Sequence, residues 1–180
     1  MRHQSATKIG ATLFAACALL SAAVAPRAQA QTPVRFSGAA ALVLPVGDLG
    51  NASDPGIDLA FRGEGPIGSR GWSLRGDLTW DRFPGRGIVD SYSYLGVAAN
   101  LVHRDRGDRL YEFGGLGLYG DKTELVNSDN HSDTNLGLQI GLGLDLAGGQ
   151  HPPFVEFGLT TAFTSGGNSI WLPVRLGIRF

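Results

Sequence analysis

The chain has 180 residues, 15 Lys plus Arg against 16 Asp plus Glu, and 27 glycines spread along its length. Glycine weakens helices and here is not gathered into linkers, so neither a helical bundle nor a disordered tail fits. A single Cys excludes an internal disulfide framework.

Residues 1–30 read as a secretory signal peptide. Arg2 and Lys8 make a basic start, an apolar run extends from Ile9 to Ala25, and Ala28-Gln29-Ala30 forms a small-residue cleavage site. The mature chain is then one domain over 31–180, beginning near Gln31. A spanning helix is the weaker alternative: the run is alanine-rich and interrupted by Gly10 and Thr12, and it falls short of the ~20 strongly apolar residues that cross a bilayer. Within "LFAAC", Cys17 vaguely resembles the acylated cysteine of a lipoprotein box, but Phe14 is a poor residue three positions before it. Cleavage after Ala30 removes Arg2, Lys8 and Arg27 and leaves 12 basic residues against 16 acidic ones, a net charge of −4. That argues against nucleic acid as a partner. Cys17 and Met1 go as well, so no disulfide can stabilise the mature protein in an oxidising compartment.

From Val34 onward, alternation at period two recurs and helical periodicity is almost absent. Eight segments carry it: 34–46, 56–65, 71–83, 91–103, 109–120, 134–147, 154–164 and 169–180. The connections "PIGSR", "RDRGD" and "GGQHPP" are short, whereas "GDLGNASDP", "PGRGIVD" and "DKTELVNSDNHSD" are longer and more polar, with "SGGN" the short exception. Short turns on one rim and long loops on the other describe an antiparallel meander closed into a barrel, with both termini on the short-turn side. Most segments also meet the ~9–11 residues that a tilted strand needs to cross a bilayer.

The alternation assigns two faces. In the sixth segment Leu136, Leu138, Ile140, Leu142, Leu144 and Leu146 oppose Asn135, Gly137, Gln139, Gly141, Gly143 and Asp145. In the last, Ile170, Leu172, Val174, Leu176, Ile178 and Phe180 oppose Arg175 and Arg179. A soluble sandwich shows the same alternation, so charge must decide between the two solvents. The polar face carries Arg35, Asp58, Arg62, Glu64, Arg75, Asp77, Asp81, Glu112, Asp145, Glu156, Arg175 and Arg179, both signs in similar number and hardly a lysine. Such a set suits a closed interior where guanidiniums and carboxylates pair. The interior of an eight-stranded barrel is only just wide enough for side chains, so long arginines are expected to face glycines and to fill it, leaving no wide pore.

Aromatic residues are expected to form two interfacial belts. Phe36, Trp72, Tyr111, Phe154 and Phe180 fall toward the short-turn rim, and Trp80, Phe83, Tyr119, Phe163 and Trp171 toward the long-loop rim. The fourth and fifth segments are less regular. Tyr92 and Tyr94 turn inward if Leu95, Val97 and Leu101 face lipid, and "YEFGGLGLYG" suggests a phase change, with a glycine bulge at Gly114-Gly115.

Taken together, the signal peptide, "GAAALVLPVGDLG", "YEFGGLGLYG" before a polar loop, "LGLQIGLGLDL" and the closing "PVRLGIRF" resemble the small outer-membrane β-barrel domain proteins of Gram-negative bacteria, broadly of the OmpA/OmpX kind. The resemblance covers residues 34–180. It implies an all-β, eight-stranded antiparallel up-and-down transmembrane barrel in the outer membrane, in contact with outer-membrane lipid and monomeric. It also implies that Leu176, Ile178 and Phe180 form a terminal insertion signal read by the barrel-assembly machinery. The position five residues from the end, often glycine in that signal, is Arg175.

Other motifs read as incidental. "GLGLYG" (115–120) matches G-x-G-x-x-G but lies inside a strand, not in a turn opening a helix, so no nucleotide cofactor is expected. "DNHSD" (129–133), with Asp121 and Glu124 nearby, offers oxygen ligands but lacks the glycine and distal glutamate of an EF-hand, and reads as a solvated loop without a metal. His103 and His151 lie by short turns, and His131 sits near Ser128, Ser132 and Asp129 in a long loop with nothing to define a catalytic geometry. The expected role is structural or surface-interacting through loops 47–56, 83–90 and 121–134, with no enzymatic activity. Two alternatives remain: a secreted lipocalin-like barrel binding a small apolar ligand, which would need an open apolar interior, and a lipid-modifying barrel enzyme.

Overall fold

A computed structural model describes residues 34–68, 71–104, 108–125, 131–146, 149–164 and 167–180. The signal peptide, its cleavage site and Cys17 lie outside the described residues. Eight strands follow one another: β1 (Arg35–Val46), β2 (Gly56–Pro66), β3 (Trp72–Pro84), β4 (Val89–His103), β5 (Leu110–Leu125), β6 (His131–Asp145), β7 (Pro153–Thr164) and β8 (Gly167–Arg179). Each pairs antiparallel with its neighbours in sequence, and β8 pairs with β1 to close the barrel. Closure leaves no strand edge unpaired, and the even count returns both ends to the short-turn rim.

Alternation runs through every strand. On β6 the leucine and isoleucine row faces out while Asn135, Gln139 and Gly143 face in; on β3 Arg75, Asp77, Thr79 and Asp81 are buried between exposed Leu74 and Leu78. The barrel is therefore apolar outside and charged inside.

Several expectations need correction. The phase change in the fifth segment is absent: Tyr111, Phe113, Gly117 and Tyr119 all point inward, and β5 pairs with β6 in unbroken register from Leu110 to Thr123. The irregularity lies instead between Val89 and Ser91 on β4. The loop 121–134 is shorter than expected, because Asp121, Lys122 and Thr123 pair with Asp133, Ser132 and His131 and extend the β5–β6 hairpin. The first loop contains a short helix, Gly47–Ala52. Its Leu49 is buried among aromatic side chains at the loop-rim mouth, and Ser53 Oγ donates to the Leu49 carbonyl at 2.7 Å.

The aromatic belts also divide. Phe36, Trp72, Phe163 and Phe180 are exposed on the outer wall, and Trp80 shares that face between Leu59 and Leu95. Phe83, Tyr111, Tyr119, Phe154 and Trp171 do not belong to any belt: all are buried in the interior. Each sits between residues that face outward or less far inward, so strand parity turns the ring inward whatever its height along the barrel.

Candidate functional site

The interior is built in two tiers. Midway along the barrel, Arg62 and Arg75 converge on Glu156, with Arg62 Nη2 at 2.7 Å and Arg75 Nη1 at 2.9 Å. The Tyr111 hydroxyl donates to the same carboxylate at 2.7 Å. Arg75 Nε lies 2.9 Å from Asp77, and Asn100 Nδ2 donates to Asp77 at 3.1 Å and to Gln139 at 3.2 Å. Arg175 grips Asp58 with two parallel bonds, Nε at 3.0 Å and Nη2 at 2.8 Å, the planar fork meeting both carboxylate oxygens. Nearer the short-turn rim Arg179 pairs with Asp145. Arg104 reaches from its turn toward Glu64 at 3.8 Å and Asp145 at 3.7 Å.

Rings support these cations. The Arg75 guanidinium carbon stands 4.2 Å from the Phe113 ring centroid, Arg104 stands 4.6 Å from Tyr111, and Arg179 stands 4.9 Å from Phe154. A guanidinium over an aromatic face is held by the ring quadrupole while its edges remain free for carboxylates.

Toward the loop rim the filling becomes aromatic. Trp171 packs against Tyr94 at 4.9 Å, edge-on to Tyr119 at 5.7 Å and to Phe83 at 6.1 Å. Val43, Ala162 and Leu49 complete this cluster. The Tyr94 hydroxyl donates to Ser169 at 2.9 Å.

Two residues predicted for the charge network lie elsewhere. Glu112 shares its face with Leu110, Leu116 and Leu118, so parity turns it outward, where it meets His103 Nδ1 at 3.3 Å on the outer wall. Arg35 stands opposite Glu64 in register but is exposed at the short-turn mouth, where water solvates its charge and Arg104 serves Glu64 instead. The network gains four members that the sequence reading missed: Asn100, Arg104, Tyr111 and Gln139. Parity alone placed Asn100, Tyr111 and Gln139 inward; Arg104, in a turn, carried no such signal.

The expectation that glycines face arginines is corrected too. They accommodate rings: a Cβ at Gly143 would lie 2.0 Å from Tyr111, one at Gly177 2.3 Å from Phe154, and one at Gly137 2.6 Å from Tyr119.

At the loop rim Arg86 pairs with Asp54 and donates to the Gly50 carbonyl at 3.2 Å, clasping the first loop to the second. On the outer wall above the apolar belt, Glu124 pairs with Lys122 and accepts from Ser91 Oγ at 3.0 Å. These bonds, that from Lys122 first, hold its carboxyl below the ordinary glutamate range. His103 stacks on Trp72 at 4.5 Å on the outer wall, and His151 Nδ1 lies 3.2 Å from the Arg179 carbonyl. Most of the polar loop containing Asp129 and Asn130, and the His131 side chain, lie outside the described residues. Among the described residues no group of three or more His, Cys, Asp or Glu is arranged to hold a metal ion.

No family model matches the sequence, and no curated relative is similar to it. Similarity appears in three dimensions. Neisserial surface protein A superposes with a TM-score of 0.58 at 14% identity, covering 84% of this chain and 98% of that one. The Yersinia pestis outer membrane protein Ail in a phospholipid nanodisc gives 0.56 at 16%, covering 82% and 100%. The N-terminal β-barrel domain of Pseudomonas aeruginosa OprF gives 0.53 at 14%, covering 81% and 97%. The chain therefore has the closed eight-stranded antiparallel fold of the small outer-membrane barrels.

Proposed function

We propose that the protein is an integral barrel of the Gram-negative outer membrane, serving as a structural or surface-interacting wall element with a filled lumen. One observation carries this reading: the barrel is inside out for water. Leu42, Leu116, Ile140, Phe157 and Leu176 are each more than half exposed, while Asp58, Arg62, Arg75, Glu156 and Arg175 are at most 2% exposed in the lumen. A continuous exposed apolar wall needs another solvent, and lipid supplies it. The same observation opposes a lipocalin-like carrier, whose lumen would be open and apolar. A groove of about 640 Å³ beside Trp72, Gly114 and Leu142 lies on the outer wall, not in the lumen.

On this reading the partners are outer-membrane lipid around the wall and the barrel-assembly machinery at insertion. For the latter, Leu176, Ile178 and Phe180 present an unbroken exposed row on the closing strand. The loops carry any surface contact, and the barrel works as a monomer. Fractionation of an expressing Gram-negative host tests this reading. The protein should stay in the carbonate-washed outer membrane and migrate faster on a gel before boiling than after. Recovery as a soluble periplasmic protein would overturn it.

A further inference from the structure

We infer that Asp58 and Asp81 share one proton, forming a buried acid–carboxylate pair where the charged tier meets the aromatic one. The inference goes beyond the membrane reading and concerns the lumen alone.

Charge balance leads to it. The central tier holds three guanidiniums, Arg62, Arg75 and Arg175, and four carboxylates, Asp58, Asp77, Asp81 and Glu156, every one at most 3% exposed. Near the short-turn rim Arg104 and Arg179 pair with Glu64 and Asp145, and among the described residues the other arginines at that rim, Arg35 and Arg109, are exposed. Arg62 and Arg75 serve Glu156 and Asp77, and Arg175 commits two donors to Asp58. The excess negative charge falls on Asp81. Both of its carboxyl oxygens are buried and receive no arginine; the polar groups beside them are the Asp58 carboxylate and the Trp171 indole.

Asp81 stands directly opposite Asp58 across the β2–β3 ladder, with both side chains inward. Asp77 lies on its own strand; Arg175 and Trp171 on β8, Tyr119 on β5 and Tyr94 on β4 complete its charged and titratable surroundings. The Trp171 indole nitrogen, the Tyr119 hydroxyl and Thr79 Oγ1 are buried polar groups on the aromatic side of this pair. An ionised carboxylate in this position would have no counter-charge of its own and a like charge beside it, an arrangement that buried sites do not sustain. A proton removes both difficulties. It neutralises the surplus and turns one carboxyl into a donor to the other, a short charge-assisted O–H···O⁻ bond. The proton belongs to the pair, so neither residue owns it.

Infrared spectroscopy of the purified, folded protein near neutral pH tests this. The wild type should show the C=O stretch of a protonated carboxylic acid, shifted on exchange into D₂O, and Asp81→Asn should lack it while Glu112→Gln retains it. Absence of the band from the wild type overturns the inference, as does a band that survives in folded Asp81→Asn. If Asp81→Asn fails to fold, ¹³C-carboxyl labelling of aspartate in the wild type decides instead: one strongly shifted resonance pair supports sharing, and uniformly ionised aspartates refute it.

Discussion

Glu156→Gln separates a lumenal carboxylate from a peripheral one. The substitution keeps the shape of a side chain that accepts from Arg75 at 2.9 Å and Tyr111 at 2.7 Å and forms an ion pair with Arg62 at 2.7 Å, but removes its charge. Two guanidiniums at most 2% exposed then lose their shared counter-ion. Each charge-assisted bond contributes about 1.5–3 kcal/mol net, and stranding one side of a buried pair costs about 3–5 kcal/mol. The Gln carbonyl still accepts one bond, which places the expected loss toward the lower end of that range. Glu112→Gln is the matched control: its side chain is 65% exposed beside His103, so its loss should fall within about 0–1 kcal/mol. Denaturant unfolding of the purified barrel in one lipid or detergent, followed by tryptophan fluorescence, gives both values. Equal midpoints for the two variants would refute the claim that the lumenal network holds the barrel together.

Leu138→Arg places a charge at the middle of β6 on the outer wall and should cost about 2–4 kcal/mol in a bilayer, read as a lower temperature for loss of the fast-migrating gel band; a water-facing wall would show no loss. Gly143→Ala puts a Cβ 2.0 Å from the Tyr111 ring, displacing the hydroxyl from Glu156, and overpacking of this kind costs about 1–3 kcal/mol. Gly76→Ala meets nothing within 4 Å and should be close to neutral in the same unfolding assay. Trp171→Ala should lower stability by about 3–5 kcal/mol yet produce no conductance steps in a planar bilayer, because the Arg62–Arg75–Glu156 tier still fills the lumen below it.

The strands and their closure were legible because period-two alternation is a local property, and eight amphipathic segments with no helical run leave few other folds. The solvent on each face was legible from one further fact, the balanced Arg and Asp content of the polar face. The misplaced residues share a cause. Height near the loop rim suggests a belt position for Trp171, but its odd number places it with Pro173, Arg175 and Arg179, all buried. Charge suggests a lumenal place for Glu112, but it alternates in phase with outward leucines. In both cases parity was the stronger signal, since a one-residue change of phase reverses a side chain completely. The partner choices were beyond local reading. Arg75 and Glu156 are 81 residues apart, and Arg175 and Asp58 are 117 apart; only the stagger of a closed barrel brings them together. Arg104 enters from a turn that period two does not describe.

The glycines show why the lumen can hold so many charges. Bare backbone at Gly96, Gly117 and Gly137 lies under the Tyr119 ring, and Gly141 lies under Phe113, so large rings press flat against neighbouring strands. Phe113 and two further lumenal rings lie beneath guanidiniums: Phe113 under Arg75, Tyr111 under Arg104 and Arg179, Phe154 under Arg62 and Arg179. Arg62, Arg75, Arg104 and Arg179 thus each stand over a ring and pair with a carboxylate, while Arg175 relies on its two bonds to Asp58, arrangements that compensate a desolvated cation. The aromatic tier above closes the lumen by packing, and the charged tier closes it by pairing. Because the two are made of different residues, a substitution in one changes stability without opening a path through the other. The lumen is then a packed strut, and at the loop rim the Arg86–Asp54 clasp ties the first two loops to each other.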